Sequence, residues 1–425
     1  MSVVPDIENN RSAEAKSAYS AEAKKLSKRH TVGKIWQVVF AASTLVGVVA
    51  LTALLLNIIN SAFGFVALEN KIQPEQLARN GVSIENMPSE DLVAILEEHL
   101  SRGLMRRFEN EMPWEERSRE DIYDLVLERV VDPKPVAQWS LFQSIFSGDE
   151  IRQEMIEKYP DAGLIFKSWI TPDFITSPQS SNAMVAGVRT AILGSLWTIF
   201  IAILFSFPIG VGAAIYLQEY AKDNTINRVI QTNINNLAGV PSIIYGILGL
   251  ALFVRLLNQV TSGAVFGFTD PMTANGRTLL SAGWTLALLI LPLIIINAQE
   301  AIKAVPNSLR EASFGMGATR WQTVWNHVLP SALPGILTGT ILAVSRAIGE
   351  TAPLVVVGAS TFITFDPTGP FSKFTTLPIQ IYQWTSRPQG VFRNLAAGAI
   401  IVLLLILLSM NAIAVILRNK YSRRI

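Results

Sequence analysis

Two opposite charges stand four residues apart in a stretch that is otherwise apolar: Ser345-Arg346-Ala347-Ile348-Gly349-Glu350-Thr351-Ala352-Pro353. Residues i and i+4 share one face of a helix, so Arg346 and Glu350 are predicted to pair. A charge at the centre of a bilayer costs about 2.5–3.5 kcal/mol on insertion scales, so the pair must face protein or a water-filled path. Two chemistries fit. A static ion pair would lock helices together, because breaking a buried pair is costly. Alternatively, Arg346 meets an anion in passage and Glu350 holds it in place when the path is empty. A planar guanidinium matches two oxygens of a tetrahedral oxyanion, and Ser345 and Thr351 add hydroxyl donors. Spacing does not choose between phosphate, sulfate, molybdate and phosphonate.

Other chemistries lack their residues. There is no cysteine, which excludes disulfides, zinc–thiolate sites and thiol nucleophiles. His30, His99 and His327 are far apart in sequence, so no metal cluster is expected. No Gly-x-x-x-x-Gly-Lys-Ser/Thr phosphate loop occurs. No His, Asp or Ser cluster has catalytic spacing. The chain is therefore expected to be no enzyme and to hold no cofactor, with any ATP used by a separate polypeptide. A net charge of +2 gives no case for nucleic acid. Gly210-Val211-Gly212 lies in an apolar run and reads as packing. Glu219, Lys222 and Asp223 read as a solvated helix end.

The elements that must position Arg346 and Glu350 follow from composition. Of 425 residues, 50% are hydrophobic and only 16% charged, against about a quarter charged in soluble domains. An all-α polytopic membrane protein is predicted. Residues 1–34 form a basic tail, read as disordered, in which Ser-Ala-Glu-Ala-Lys occurs at Ser12 and again at Ser20. Residues 35–58 are long enough to span a bilayer and read as a retained anchor. Lys24, Lys25, Lys28, Arg29 and Lys34 before it place the N-terminus in the cytoplasm. Residues 66–180 are polar, with capping signals at Ser118 and at Ser147 with Glu150, and Asp132-Pro133-Lys134-Pro135 as a breaker. They are predicted to form a helical extracytoplasmic insertion. Five more spans follow at about 191–217, 237–257, 280–296, 336–357 and 395–417, with Arg346 near the middle of the fifth. Six crossings return the C-terminus to the cytoplasm, where Arg418, Lys420, Arg423 and Arg424 satisfy the positive-inside rule.

Between spans four and five lies a polar island, residues 306–330. Ser308 and Glu311 are spaced as one capping box, and Thr319 and Gln322 as another. Gly315 and Gly317 should break the chain between two short helices. Trp321, Val324, Trp325 and Val328 are predicted to line one apolar face. Such an element is either an amphipathic loop on the membrane surface or a docking element for a soluble partner.

Glu311-Ala312-Ser313, Gly317 and Leu329-Pro330 at this spacing resemble the cytoplasmic coupling loop of ABC-transporter permeases, with Ser313 where a third alanine is usual and His327 where an isoleucine is usual. Arg346-Ala347-Ile348-Gly349-Glu350-Thr351-Ala352-Pro353 resembles the phosphate-importer permeases of PstA type. So do Ile215-Tyr216-Leu217-Gln218-Glu219-Tyr220, Gly239-Val240-Pro241-Ser242 and Leu377-Pro378-Ile379-Gln380. The likeness covers about residues 185–420, and the insertion lies outside it. It implies six transmembrane helices of the ABC importer permease type in the cell inner membrane. It implies that Glu311, Ala312, Gly315, Gly317, Arg320 and Trp321 contact an ATPase, and that Arg346 and Glu350 act in phosphate movement. The implied partners are a second permease of PstC type, an ATP-binding subunit dimer of PstB type and a periplasmic phosphate-binding protein of PstS type. The rival expectations are another oxyanion as cargo, or a membrane signalling scaffold.

Overall fold

The computed structural model describes residues 5–422 apart from 80, 269–272, 274 and 361. Arg423 and Arg424 lie outside the described residues, as do the side chains of Lys24 and Lys25. The chain divides into two units, Met1–Ile58 and Ile59–Ile425.

The described residues of the first unit belong to one helix, α1, Pro5–Ala62. The expectation of a disordered tail is corrected, since the helix continues upstream of the apolar run without a break. The Ala, Glu and Lys of the repeated segment are strong helix formers. Extending an existing helix also avoids the cost of nucleation. The part Lys28–Ala62 is long and apolar enough to cross a membrane. Ser43, Thr44 and Thr52 return their hydroxyls to carbonyls four residues back, so no donor is left bare there.

The second unit opens with the insertion. Its strands are β1 (Phe63–Glu69), β2 (Lys134–Gln138) and β3 (Gly163–Ser168), in the order β2-β1-β3 and antiparallel throughout. Its helices are α2 (Ser89–His99), α3 (Arg102–Glu111), α4 (Arg119–Val126), α5 (Leu141–Phe146), α6 (Gly148–Lys158) and α7 (Pro172–Thr176). The insertion is thus mixed helix and sheet, not purely helical. β2 begins inside the proline-rich breaker, at Lys134. Pro135 is tolerated because β2 is an edge strand, and the register shifts between Ala67 and Leu68 opposite it. Ser118 caps α4 in a full capping box with Asp121. The box expected at Ser147 is not made; Ser140 and Gln143 form one instead, at the start of α5. Leu92, Ile95 and Leu96 of α2 pack with Ile122 and Val126 of α4 in a small core.

The remaining helices are α8 (Arg189–Ile215), α9 (Thr225–Ala238), α10 (Ser242–Gly249), α11 (Asn258–Thr261), α12 (Leu279–Lys303), α13 (Asn307–Gly315), α14 (Arg320–Thr323), α15 (Leu329–Ile348), α16 (Ala352–Val357), α17 (Leu377–Thr385) and α18 (Gly390–Ser422). π-helical turns continue α8 over Tyr216–Tyr220 and α10 over Leu250–Leu256, and Val324–Val328 joins α14 to α15. Ile201 and Ala202 of α8, Leu286 and Ile290 of α12, and Ala343 and Ala347 of α15 form the main core.

Among the described residues, five helices are long and apolar enough to cross a membrane, and six crossings result if the bent pair Thr225–Ala238 and Ser242–Leu256 counts as one. That bend is 106°. The third span, expected as one run at 237–257, is therefore broken just before Ser242. The fifth span is also corrected. Expected to run through residue 357, its helix stops at Ile348, and α16 starts anew at Ala352.

Candidate functional site

Arg346 lies in the last turn of α15, two residues before its end, and not at mid-helix. Gly349 caps the helix. Pro353, near the start of α16, has no N–H to offer an upstream carbonyl. Glu350 falls in the break, yet its backbone N–H still donates to Ala347 O at 3.2 Å, one further helical turn. The four-residue spacing therefore survives, and Arg346 Nε meets Glu350 Oε1 at 3.4 Å. The two partners are covered unequally: the arginine side chain is 45% exposed and the glutamate 17%. The base stands open on one side while the acid is held by protein.

The two expected hydroxyl donors part company. Ser345 Oγ donates to Asn411 Oδ1 on α18 at 2.7 Å, away from Arg346, and ties the two helices together. Thr351 stands at the N-cap of α16, and its side chain makes no capping bond. The break packs against α10. A Cβ built on Gly246 would meet Pro353 Cα at 2.6 Å, so only glycine permits this approach. Nearby, Tyr245 is buried and donates its hydroxyl to Leu237 O at 2.8 Å, bridging the α9–α10 bend.

The polar island forms two short helices. α13 begins directly after Pro306, whose ψ of 137° turns the chain into it, and the expected box of Ser308 with Glu311 is not made. The second box is made: Gln322 N–H donates to Thr319 Oγ1, and Thr319 N–H donates to Gln322 Oε1 at 2.9 Å. Of the two glycines, only Gly317 takes a left-handed backbone, with φ of 84°. Gly315 ends α13 in ordinary geometry. The predicted apolar stripe splits. Val324 and Val328 are buried, while Trp321 and Trp325 stay exposed and stack at 5.3 Å. Helical spacing explains the split: the two tryptophans, four residues apart, share one edge of the stripe and the two valines the other. Glu311, Ala312, Gly315, Gly317, Arg320 and Trp321 all lie on the surface. Ser313 is buried instead, its hydroxyl 2.9 Å from that of Thr323, bridging the two short helices.

One joint was missed by sequence reasoning. Arg310 of α13 reaches the end of the α8 span, where Nε and Nη2 donate to Glu219 Oε1 at 3.1 and 2.7 Å. Nη1 donates to Val305 O at 2.6 Å and Nη2 to Ile302 O at 2.9 Å, covering carbonyls near the end of α12. Both side chains are largely covered, at 14% and 13% exposure. Glu219 is therefore not a solvated helix end. It belongs to a fork that ties the island to two spans. The available signal was an acid directly after an apolar span and an arginine in a loop, but 91 residues separate them. Beside it, Gln231 of α9 and Gln299 of α12 exchange amide bonds at 3.1 and 2.8 Å.

The model of the family described as "Binding-protein-dependent transport system inner membrane component" matches residues 206–425. The probable ABC transporter permease protein YqgI of Bacillus subtilis is 33% identical over 261 residues, covering 58% of this chain and 83% of that protein. The phosphate transport system permease protein PstA 1 of Mycobacterium tuberculosis is 32% identical over 239 residues, covering 56% and 72%. A solved structure of the MetNI methionine ABC transporter superposes with a TM-score of 0.42 at 19% identity, covering 57% of this chain and 99% of that one. The chain is a multi-pass inner-membrane protein and belongs to the family of binding-protein-dependent transport system inner membrane components.

Proposed function

We infer that this chain is one permease half of an ATP-driven phosphate importer, and that Arg346 and Glu350 line its path. The single observation that carries the reading is the uneven cover of the pair. A static lock would hide both charges, whereas here the guanidinium is half open and the carboxylate is held. An open arginine opposite a second permease of PstC type would meet a tetrahedral oxyanion with two parallel donors. The carboxylate neutralises it between passages, so the anion is met without being trapped. Phosphate, rather than another oxyanion, rests on the likeness to permeases named for phosphate transport. The island 306–330 would receive a PstB-type ATPase through Glu311, Ala312, Gly315, Gly317, Arg320 and Trp321, and a PstS-type protein would deliver phosphate on the other side. ATP is hydrolysed by that partner, and its differential affinity for two permease states supplies the drive.

The test is uptake of labelled phosphate into proteoliposomes holding both permeases, the ATPase and the binding protein. ATP-dependent uptake is expected, displaced by unlabelled phosphate and not by sulfate or molybdate. Displacement by sulfate or molybdate instead would reassign the cargo, and absence of any ATP-dependent uptake would refute the importer reading.

A further inference from the structure

The insertion leaves a group of large apolar side chains uncovered. α5 turns Ser144 toward β1, where the serine hydroxyl accepts from the Phe65 N–H at 2.8 Å. Phe142 and Phe146 lie one turn apart on this helix, with ring centroids 6.4 Å apart, and Ile145 stands beside them. All three are exposed, Phe146 at 82%. Phe166 of β3 is exposed as well and meets Phe65 edge-on at 5.7 Å. Large apolar side chains uncovered on α5 and on the sheet that α5 is bonded to mark a surface that water does not normally cover.

Its height relative to the spans is set by bonded neighbours. Phe142 N–H donates to Asn60 Oδ1 at 2.8 Å, and Asn60 is in the last turn of α1, just past its apolar run. Trp169 N–H donates to Ala62 O at 3.1 Å. Trp169 and Val66 share one apolar cluster with Phe392, Leu395 and Val402 from the first part of α18, itself long and apolar enough to cross a membrane. The base of the sheet therefore rests on the ends of spans. α5, bonded to Asn60 and to Phe65, stands at that same level. The headgroup layer on each side of a bilayer is about 5–8 Å deep, half the difference between total and hydrocarbon thickness. Large apolar side chains at this depth bury themselves in the boundary of headgroups and acyl chains.

We propose that Phe142, Ile145, Phe146 and Phe166 form a lipid-contacting edge that seats the insertion in the headgroup layer. The occupant is lipid because the edge is continuous with the span ends. The seat fixes the height of the insertion above the membrane core, whatever solute the core carries.

The absence of native cysteine allows a direct test in the full chain, reconstituted in phosphatidylcholine vesicles. A nitrobenzoxadiazole dye is attached at Phe146→Cys, with Glu97→Cys on α2 as the aqueous reference. At position 146 the emission is expected to shift to the blue, to lose most of its intensity to nitroxide-bearing phosphatidylcholine, and to resist aqueous iodide. Position 97 is expected to behave in the opposite way. Iodide quenching at 146 equal to that at 97 overturns the proposal. A blue-shifted emission blind to the nitroxide lipid also overturns it, because it places the dye against protein. Should Phe146→Cys insert poorly, Ile145→Cys carries the same readings.

Discussion

Replacing Arg346 with glutamine removes the open guanidinium and keeps an amide that can still face Glu350. Uptake is expected to vanish while the variant inserts and assembles, as read by copurification with its partners; normal uptake would leave only a static role. The buried fork asks for a different measurement. Glu219→Gln leaves Arg310 charged and half-satisfied by the carbonyls of Ile302 and Val305. Breaking a buried pair of this kind costs about 3 kcal/mol, which should lower the thermal midpoint of the solubilised protein. Arg310→Lys should lower it as well, because one ammonium nitrogen cannot take the places of the three guanidinium nitrogens that reach Glu219, Val305 and Ile302. Burial holds the Lys167 amine of β3 below the usual lysine range, with its charge over the Trp169 ring at 5.0 Å. Wild type therefore gains stability as pH rises from that lowered value toward 10.5, where the unfolded lysine loses its proton. The difference in midpoint between wild type and Lys167→Met should change over that alkaline window and stay flat below it. At this scale the sequence showed the pair Arg346 and Glu350, because both lie on one local turn. It could not show that Ser345 turns to Asn411, 66 residues away.

Helix interruptions were visible as prolines, but not which of them break and which only bend. Pro208, Pro292 and Pro334 stay inside continuous helices. Pro241 and Pro353 end up at breaks. The difference lies just upstream: Gly239 precedes Pro241 and Gly349 precedes Pro353, whereas no glycine stands within four residues before the other three. Proline removes a helix bond, and glycine removes the penalty for leaving helical geometry. The two breaks then pack on each other through Gly246 and Pro353. Gly246→Ala puts a Cβ against backbone, which cannot swing aside. A loss of about 1–3 kcal/mol is expected, measured as a lower thermal midpoint. The sheet of the insertion was hidden for another reason. β2 carries Pro135 on an edge, and its partner β1 is distant in sequence, so neither periodicity nor propensity announced it.

For the molecule as a whole, apolar run lengths announced the five long spans and, where the bent pair counts as one, the sixth, and the charge flanks predict that both chain ends lie in the cytoplasm. A cysteine placed at Arg320 should resist a membrane-impermeant maleimide in intact cells and react once they are opened; reaction in intact cells would invert the topology. The right-angle turn before Ser242 has one more consequence. Beyond it the chain runs through 8 residues of α-helix, 7 of π-helix and, after Leu257, 4 more of α-helix, about 30 Å at most against roughly 30 Å of hydrocarbon. A crossing with no spare length is strained first by a thicker bilayer, and such a mismatch is relieved by lipids with shorter tails. The acyl length of the surrounding membrane would then act as a brake on turnover, set by the lipids and not by the cargo.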